Sequence, residues 1–310
     1  MFEIVFLGTS ASAPSIQRGL PAQVVKHNEH RFLVDCGEGT QRQILQSGLG
    51  FKRLNRLLIT HGHLDHILGI GGLVSTYLRW EAISELEIYA GKSALERIHD
   101  LLYKVVIRGT SAPFPLHLIP LHEGVFIEND DFSIRAFPVN HRGPDCFGFS
   151  FEEKGKRPFL AENAEALGIP QGPWRRDLVN GKAVELPDGR SIKPEEVLGE
   201  FEFGTRLVMV GDAGETESLV EVCQGADALV IEGTYLQEEA EMAEQFAHLT
   251  ARSAAELASE AGVGHLYLTH VSRRYRDKDI KKEAQQVFPN VTVARDFDSF
   301  QVKKTSQLRT

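Results

Sequence analysis

Cysteine is scarce in this 310-residue chain: Cys36, Cys146 and Cys223 are odd in number and form no close pairs. That excludes a disulfide framework and suits reduced, buried thiols in a cytoplasmic protein. No run of 18 apolar residues occurs, so no transmembrane helix is expected. The N-terminal Met-Phe-Glu-Ile-Val-Phe-Leu-Gly lacks a basic n-region and a cleavage signal, and it reads as a first strand. Positive charge is also short, with 34 Lys and Arg against 43 Asp and Glu, a formal net charge of −9. An indiscriminate nucleic-acid binder needs a basic surface, so that class is disfavoured. A nuclease is still compatible, because metal ions and a few clustered cations can supply a local positive field. The hydrophobic content of 42% and charged content of 25% are those of a soluble globular chain that can bury a sizeable core.

Histidine and aspartate, by contrast, are concentrated in one short run. His61, His63, Asp65 and His66 fall in Leu-Ile-Thr-His-Gly-His-Leu-Asp-His, directly after the apolar Leu57-Leu58-Ile59. Burying unpaired polar or charged groups costs free energy, so packing explains these four poorly. They read as a strand tip offered to a cation. Imidazole and carboxylate donors without thiolate suit zinc, with manganese or iron as other occupants. His61 and His63 alternate as on one face of an extended segment, whereas Asp65 and His66 follow a turn into the helical pattern Ile67-Leu68-Gly69-Ile70. The spacing thus divides the donors into two sets, which can hold two neighbouring metals. Further ligands are needed, and the arrangement of an apolar strand ending in a donor recurs. Of the 12 histidines, His141 follows the strand-like 132–139 and His270 ends His265-Leu266-Tyr267-Leu268-Thr269. Asp212 ends Leu207-Val208-Met209-Val210-Gly211, where its two oxygens can bridge two cations.

Strand and helix patterns alternate along the chain. Residues 4–7, 32–34, 57–59, 86–89, 134–139, 207–210, 228–231 and 265–268 read as buried strands. Residues 38–46, 93–106, 216–222 and 251–260 read as helices, which predicts an α/β fold with sheets covered by helices. Between 151 and 203 the rhythm breaks: Gly155, Gly168, Gly172, Gly181, Gly189 and Gly199 mix with Pro158, Pro170, Pro173, Pro187 and Pro194. Apolar periodicity is weak there, so no separate core is expected. About fifty residues is too long for an ordinary connection, which leaves a disordered insert or a projecting arm.

The order His-x-His-x-Asp-His, a distant His, Gly-Asp and Thr-His resembles the metallo-β-lactamase superfamily. Three flanking segments narrow the resemblance, nearly end to end, to the ribonuclease Z (tRNase Z) family of tRNA 3′-processing endonucleases. They are Phe6-Leu7-Gly8-Thr9-Ser10, Val34-Asp35-Cys36-Gly37-Glu38-Gly39-Thr40-Gln41 and Leu268-Thr269-His270-Val271-Ser272-Arg273-Arg274-Tyr275. The resemblance implies a four-layer αββα sandwich as a single domain over 1–310, with 152–203 an inserted Gly/Pro-containing exosite arm. In that family the arm protrudes from the body and clamps the tRNA elbow, usually against the active site of the other subunit of a homodimer. Gly172, Pro173, Arg175 and Arg176 lie in this arm, and with Lys182, Arg190 and Lys193 its cations outnumber its acids between 171 and 193.

Carried over residue by residue, the resemblance implies two zinc ions per chain. His61, His63 and His141 would hold one, Asp65, His66 and His270 the other, with Asp212 bridging. Asp65 would also orient or deprotonate an attacking hydroxide activated by the metals. His248 would protonate the leaving 3′-oxygen, oriented by Glu232, leaving a 3′-hydroxyl on the tRNA and a 5′-phosphate on the trailer. A competing role for His248 is at a helix N-terminus beside the cap-like Thr250. Arg274 matches a phosphate-binding Arg of the family, with a surface salt bridge as its other reading. Pro14 and Arg18 match the loop that reads the acceptor end, although its usual Lys and Asn are absent here. Ala213 follows Gly211-Asp212 where the family has Thr, and Leu249 stands in His-x-Thr where the family has Ser. These departures leave open the cleavage register and the effect of a CCA end. Two other classes stay in view: a small-molecule metallohydrolase of the same fold (phosphodiesterase, arylsulfatase or lactonase), which needs no arm, and a non-catalytic RNA-binding scaffold.

Overall fold

A computed structural model describes residues 1–80, 83–109 and 111–305. The alternating pattern becomes two seven-stranded mixed sheets. Strands β1 (Glu3–Gly8), β2 (Ala22–His27), β3 (His30–Val34), β4 (Arg56–Leu58), β5 (Leu86–Ala90) and β6 (Leu116–Pro120) are neighbours in that order in the first. The second begins with β7 (Gly124–Glu128), β8 (Phe132–Pro138) and β9 (Phe147–Glu153). A separate two-stranded hairpin, β10 (Val184–Glu185) with β11 (Ser191–Ile192), intervenes. The second sheet then adds β12 (Arg206–Met209), β13 (Ala228–Glu232), β14 (His265–Thr269) and β15 (Val291–Val293). The last strand, β16 (Ser299–Gln301), returns to the first sheet and pairs antiparallel with β1.

Side-chain alternation sorts the apolar residues into layers. Leu207, Met209, Val230 and Tyr267 face Phe6, Val25, Val34 and Leu58 between the sheets. Phe2 and Phe32 meet Phe132 and Phe151 there at ring separations of 5.8–5.9 Å, mostly edge to face. Val208, Val210, Leu266 and Leu268 point the other way, onto Ala254, Ala255, Ala258 and Ile280 of the helices Ala251–Glu260 and Asp277–Gln285. Leu33, Leu57 and Ile88 pack on Leu73, Tyr77 and Ile98 of Gly69–Trp80 and Lys92–His99. The layers are therefore helix, sheet, sheet, helix. Strands covered on both faces read as unbroken apolar runs, which is why they were legible in sequence. All eight expected strands form. Half-exposed β6 and β7 alternate weakly and short β15 and β16 carry little pattern, so they escaped, as did the largely buried β2 and β9, whose apolar runs are interrupted by Gln23 and Lys26 and by Gly148 and Ser150. The expected helix over 93–106 is α-helical to His99 and π-helical over Asp100–Val106. Cys36, Cys146 and Cys223 are buried and free. No described helix is long and apolar enough to cross a membrane.

Two compact units emerge: residues 1–152 with 205–310, and Glu153–Gly204. The second unit corrects one expectation, because it does gather a core. Ala164, Ile169, Leu178, Val184, Leu186, Ile192 and Val197 are buried together. Single apolar residues separated by Gly and Pro turns meet through those turns, so no periodicity along one element announces them. Gly172 takes φ of 115° and Pro173 opens the helix Pro173–Val179, where a missing N–H and a preset φ suit the first turn.

Candidate metal centre and active site

The donors singled out in sequence lie just beyond strand ends or in the short helix that follows one. His61 and His63 follow β4, Asp65 and His66 lie in the turn-like helix Leu64–Ile67, and His141, Asp212 and His270 follow β8, β12 and β14. Sharp turns aim them. Asp35 after β3 has φ of 57°, His270 has φ of 52° and Gly211 has φ of 77°. At Gly211 a Cβ would also sit 3.0 Å from the Thr60 side chain, so glycine is required before Asp212.

The donors gather in overlapping groups whose ligand atoms lie within 4.8 Å of one another: His61, His63, His141 and Asp212; Asp65, His66 and His270; and Asp212, His248 and His270. Asp212 joins them through one atom. Its Oδ2 is 3.4 Å from Nε2 of both His66 and His270, 3.9 Å from Nε2 of His61 and 4.0 Å from Nε2 of His141. The four imidazoles thus make their close approaches to Oδ2, while Oδ1 is buried and without a hydrogen-bond partner among the described residues.

Outer partners fix the imidazoles. His66 Nδ1 donates to Asp35 Oδ2 at 2.8 Å, and His141 Nδ1 donates to the Ala247 carbonyl at 2.8 Å. Thr234 gives its hydroxyl proton to the His270 carbonyl, so His270 Nδ1 donates to Thr234 Oγ1 at 2.9 Å. Thr60 likewise donates to Asp35, so His61 Nδ1 donates to Thr60 Oγ1 at 3.0 Å. All four rings thus turn Nε2 inward, the arrangement in which an imidazole ligates a metal. His63 differs and presents Nδ1, 2.9 Å from His61 Nε2 and 3.3 Å from His141 Nε2. Nε2 of His66 and of His270 is buried without a hydrogen-bond partner among the described residues. Buried polar atoms are normally paired, so these inward-facing orphans fit a divalent cation.

The electrostatics agree. Burial, with repulsion from His66, holds His61 well below the usual imidazole range. Burial and then His141 bring His63 down to about 4. Burial opposes charge on Asp212 and on Asp65, yet His270 and His66 hold both carboxyls below their usual range. His66 shifts the other way: burial opposes its charge, but Asp212 and Asp35 raise its pKa well above the ordinary value. Asp65 is the most solvent-open of these donors after His63, and its Oδ2 accepts the Ser12 N–H at 3.1 Å.

Beside this cluster, Glu232 at the end of β13 is fully buried and accepts the Ala213 N–H at 2.8 Å. His248 Nδ1 lies 3.0 Å from each Glu232 oxygen and 3.9 Å from Asp212 Oδ2. Burial works against charge on His248, but Glu232 outweighs it and raises the pKa to about 9. Thr250 caps the helix Ala251–Glu260 by accepting the Ser253 N–H, so the capping role belongs to Thr250 while His248 faces the site.

The remaining candidates have other partners. Arg18 is tied down inside the fold: it pairs with Asp277 at 2.7 Å and donates to Thr9 Oγ1 and the Ala294 carbonyl. Its donors hold the N-terminal loop. Arg274 pairs with Glu239 at 2.9 Å and is half exposed. Arg175 donates twice to the Ile169 carbonyl and stacks over Phe159, and Arg190 pairs with Asp188. Arg176, Gly172 and Pro173 are exposed. Sequence reasoning missed Asp35, Thr60 and Thr234 as outer partners. Asp35 carried the same signal as Asp212, an acid directly after a buried strand; Thr60 and Thr234 carried none.

A β-lactamase superfamily domain model matches residues 30–161. The chain is similar in fold to human tRNase Z, short form, with a TM-score of 0.67 at 24% identity, covering 97% of this chain and 99% of that one. A metallo-β-lactamase fold protein from Bacillus subtilis gives a TM-score of 0.70 at 18% identity, over 97% and 100% of the two chains. In sequence, ribonuclease Z of Archaeoglobus fulgidus is 37% identical over 97% of this chain and 98% of its own. Ribonuclease Z of Bradyrhizobium diazoefficiens is 46% identical over 298 residues, 96% of this chain and 99% of its own length. With that identity sustained from end to end, the chain belongs to the ribonuclease Z family.

Proposed function

We propose that this protein is a zinc-dependent endoribonuclease that removes 3′ trailers from precursor tRNA. The observation that carries the reading is the shared Asp212 Oδ2 between two groups of inward-facing donors, with the Glu232–His248 pair alongside. Family membership supplies the substrate class. His61, His63 and His141 would hold one zinc, Asp65, His66 and His270 the other, and Asp212 both. Zinc there supplies Lewis acidity, which activates water and offsets negative charge as the phosphodiester is cut. Asp65, the more open carboxylate, orients the attacking water. His248 is held by Glu232 at Nδ1, so its Nε2 carries the proton that passes to the leaving 3′-oxygen of the tRNA. The trailer then departs with a 5′-phosphate.

For residues 153–204 we propose a tRNA-contacting exosite. Exposed Arg176, Lys182 and Lys193 support that role, whereas Arg175 and Arg190 are engaged internally. The working form is taken to be a cytoplasmic homodimer, as the family implies; light scattering measures it.

The test is cleavage of a 5′-labelled precursor tRNA bearing a 3′ trailer, alongside hydrolysis of bis-(4-nitrophenyl) phosphate. The expected result is a single metal-dependent cut at or next to the discriminator base, abolished in Asp65→Ala. Turnover of the small diester without any cut in precursor tRNA would overturn the assignment in favour of a small-molecule phosphodiesterase.

A further inference from the structure

Directly against the donor cluster lies a cavity of about 20 Å³. The donors His66 and His270 close one side of it, and elsewhere strand alternation lines it with inward-facing Val34, Met209 and Val230, but also with Gln23, Asp212 and Thr269. Those three are 5%, 4% and 6% exposed, polar groups at positions where the neighbouring inward residues are apolar. Two of their atoms, Asp212 Oδ1 and Thr269 Oγ1, are buried without a hydrogen-bond partner among the described residues. A dry cavity would be lined by apolar groups alone. One that is polar and near the size of a single water, with two or more donors or acceptors on its wall, is the setting in which buried water is found.

We propose that this cavity binds one ordered water molecule, which donates to Asp212 Oδ1 and pairs with Thr269 Oγ1. The inference builds on the reading of Asp212 as a shared ligand. An ionised carboxylate only accepts, a hydroxyl does both, and water has two protons and two lone pairs, so the set is chemically complete. The water makes Thr269 a positioning residue. By holding Oδ1 toward the cavity, it keeps the carboxylate from rotating and leaves Oδ2 alone facing His66 and His270, each 3.4 Å away. Thr269 differs from the other outer partners in this: it acts on the bridging carboxylate rather than on an imidazole.

The test joins a crystal structure of the purified metal-loaded protein with metal affinity measured by chelator competition on Thr269→Val and Thr269→Ser. The expected result is one density peak within hydrogen-bonding distance of Asp212 Oδ1 and Thr269 Oγ1. Zinc affinity should fall about tenfold in Thr269→Val, which keeps the shape and loses the hydroxyl, and return toward the original in Thr269→Ser. A cavity without density would overturn the proposal, and the parent crystal decides this even if the valine variant does not fold. Unchanged affinity in a folded Thr269→Val would also overturn it. If instead the peak is present but Asp212→Ala retains all its zinc, the fault lies with the ligand reading and the water itself stands.

Discussion

Both carboxylate oxygens of Glu232 lie 3.0 Å from Nδ1 of His248, so one buried acid holds one imidazole edge symmetrically. The carboxylate is itself anchored by the Ala213 N–H, on the residue after Asp212. The proposed proton donor and the proposed shared metal ligand are thus positioned from the same turn. His248→Ala is expected to lower kcat by about 10² to 10⁴-fold with zinc content unchanged in elemental analysis. Glu232→Gln should lower it less, because an acceptor remains at Nδ1. Loss of zinc from His248→Ala would reassign His248 as a ligand in the group it forms with Asp212 and His270.

Asp212→Ala removes the one oxygen common to both donor groups. Bound zinc per chain should drop, because the imidazoles of both groups lose their shared carboxylate and Asp65 remains beside His66 and His270 alone. Full retention of both ions would mean that the bridge is assigned to the wrong residue.

Asp35 touches no proposed metal position, yet it accepts from the Thr60 N–H, the Thr60 hydroxyl and His66 Nδ1. Through Thr60 it also orients His61. Asp35→Ala should weaken zinc affinity about 10 to 100-fold, the usual cost of losing a partner that orients a ligand. Chelator competition measures it, and an unchanged affinity would sink the idea that ring orientation is set from outside.

Asp277 is clamped between Arg18 and Arg295, each at 2.7 Å. Burial works against its charge, but Arg18 and then Arg295 hold its carboxyl below the usual range. A depressed carboxyl stabilises the fold above its unfolded value near 3.9, and that stability is lost as pH falls through the lower folded value. Asp277→Asn should therefore cost about 1 kcal/mol at neutral pH, a modest figure because the pair is partly solvated. The gap should close in strong acid. Thermal melts of both proteins across pH test this, and a pH-independent gap would contradict it.

Residues 153–204 leave and rejoin the second sheet at adjacent points, since Glu152 and Arg206 are register partners of β9 and β12. Replacing the segment by a short glycine linker should keep the rest of the fold. Precursor tRNA cleavage should then disappear while hydrolysis of a small phosphodiester persists. Equal loss of both activities would argue against an exosite.

The donor candidates and an α/β class with helix-covered sheets were legible because each is written locally, whereas the four-layer αββα order came only through the family resemblance. A strand buried on both faces is a run of apolar residues, and a donor at its end interrupts that run, as Leu207–Val210 before Asp212 and Leu266–Thr269 before His270 demonstrate. What each donor does with its atoms was decided only by the tertiary structure. His66 meets Asp35 across 31 residues and His141 meets the Ala247 carbonyl across 106, so no local pattern signals which ring nitrogen faces inward. For the same reason sequence could not show that one Asp212 oxygen serves both groups, or that Arg18 is taken up by Asp277, 259 residues away. Residue type sets which chemistry is available, and long-range hydrogen bonds, formed only when the two sheets come together, select the atoms that perform it.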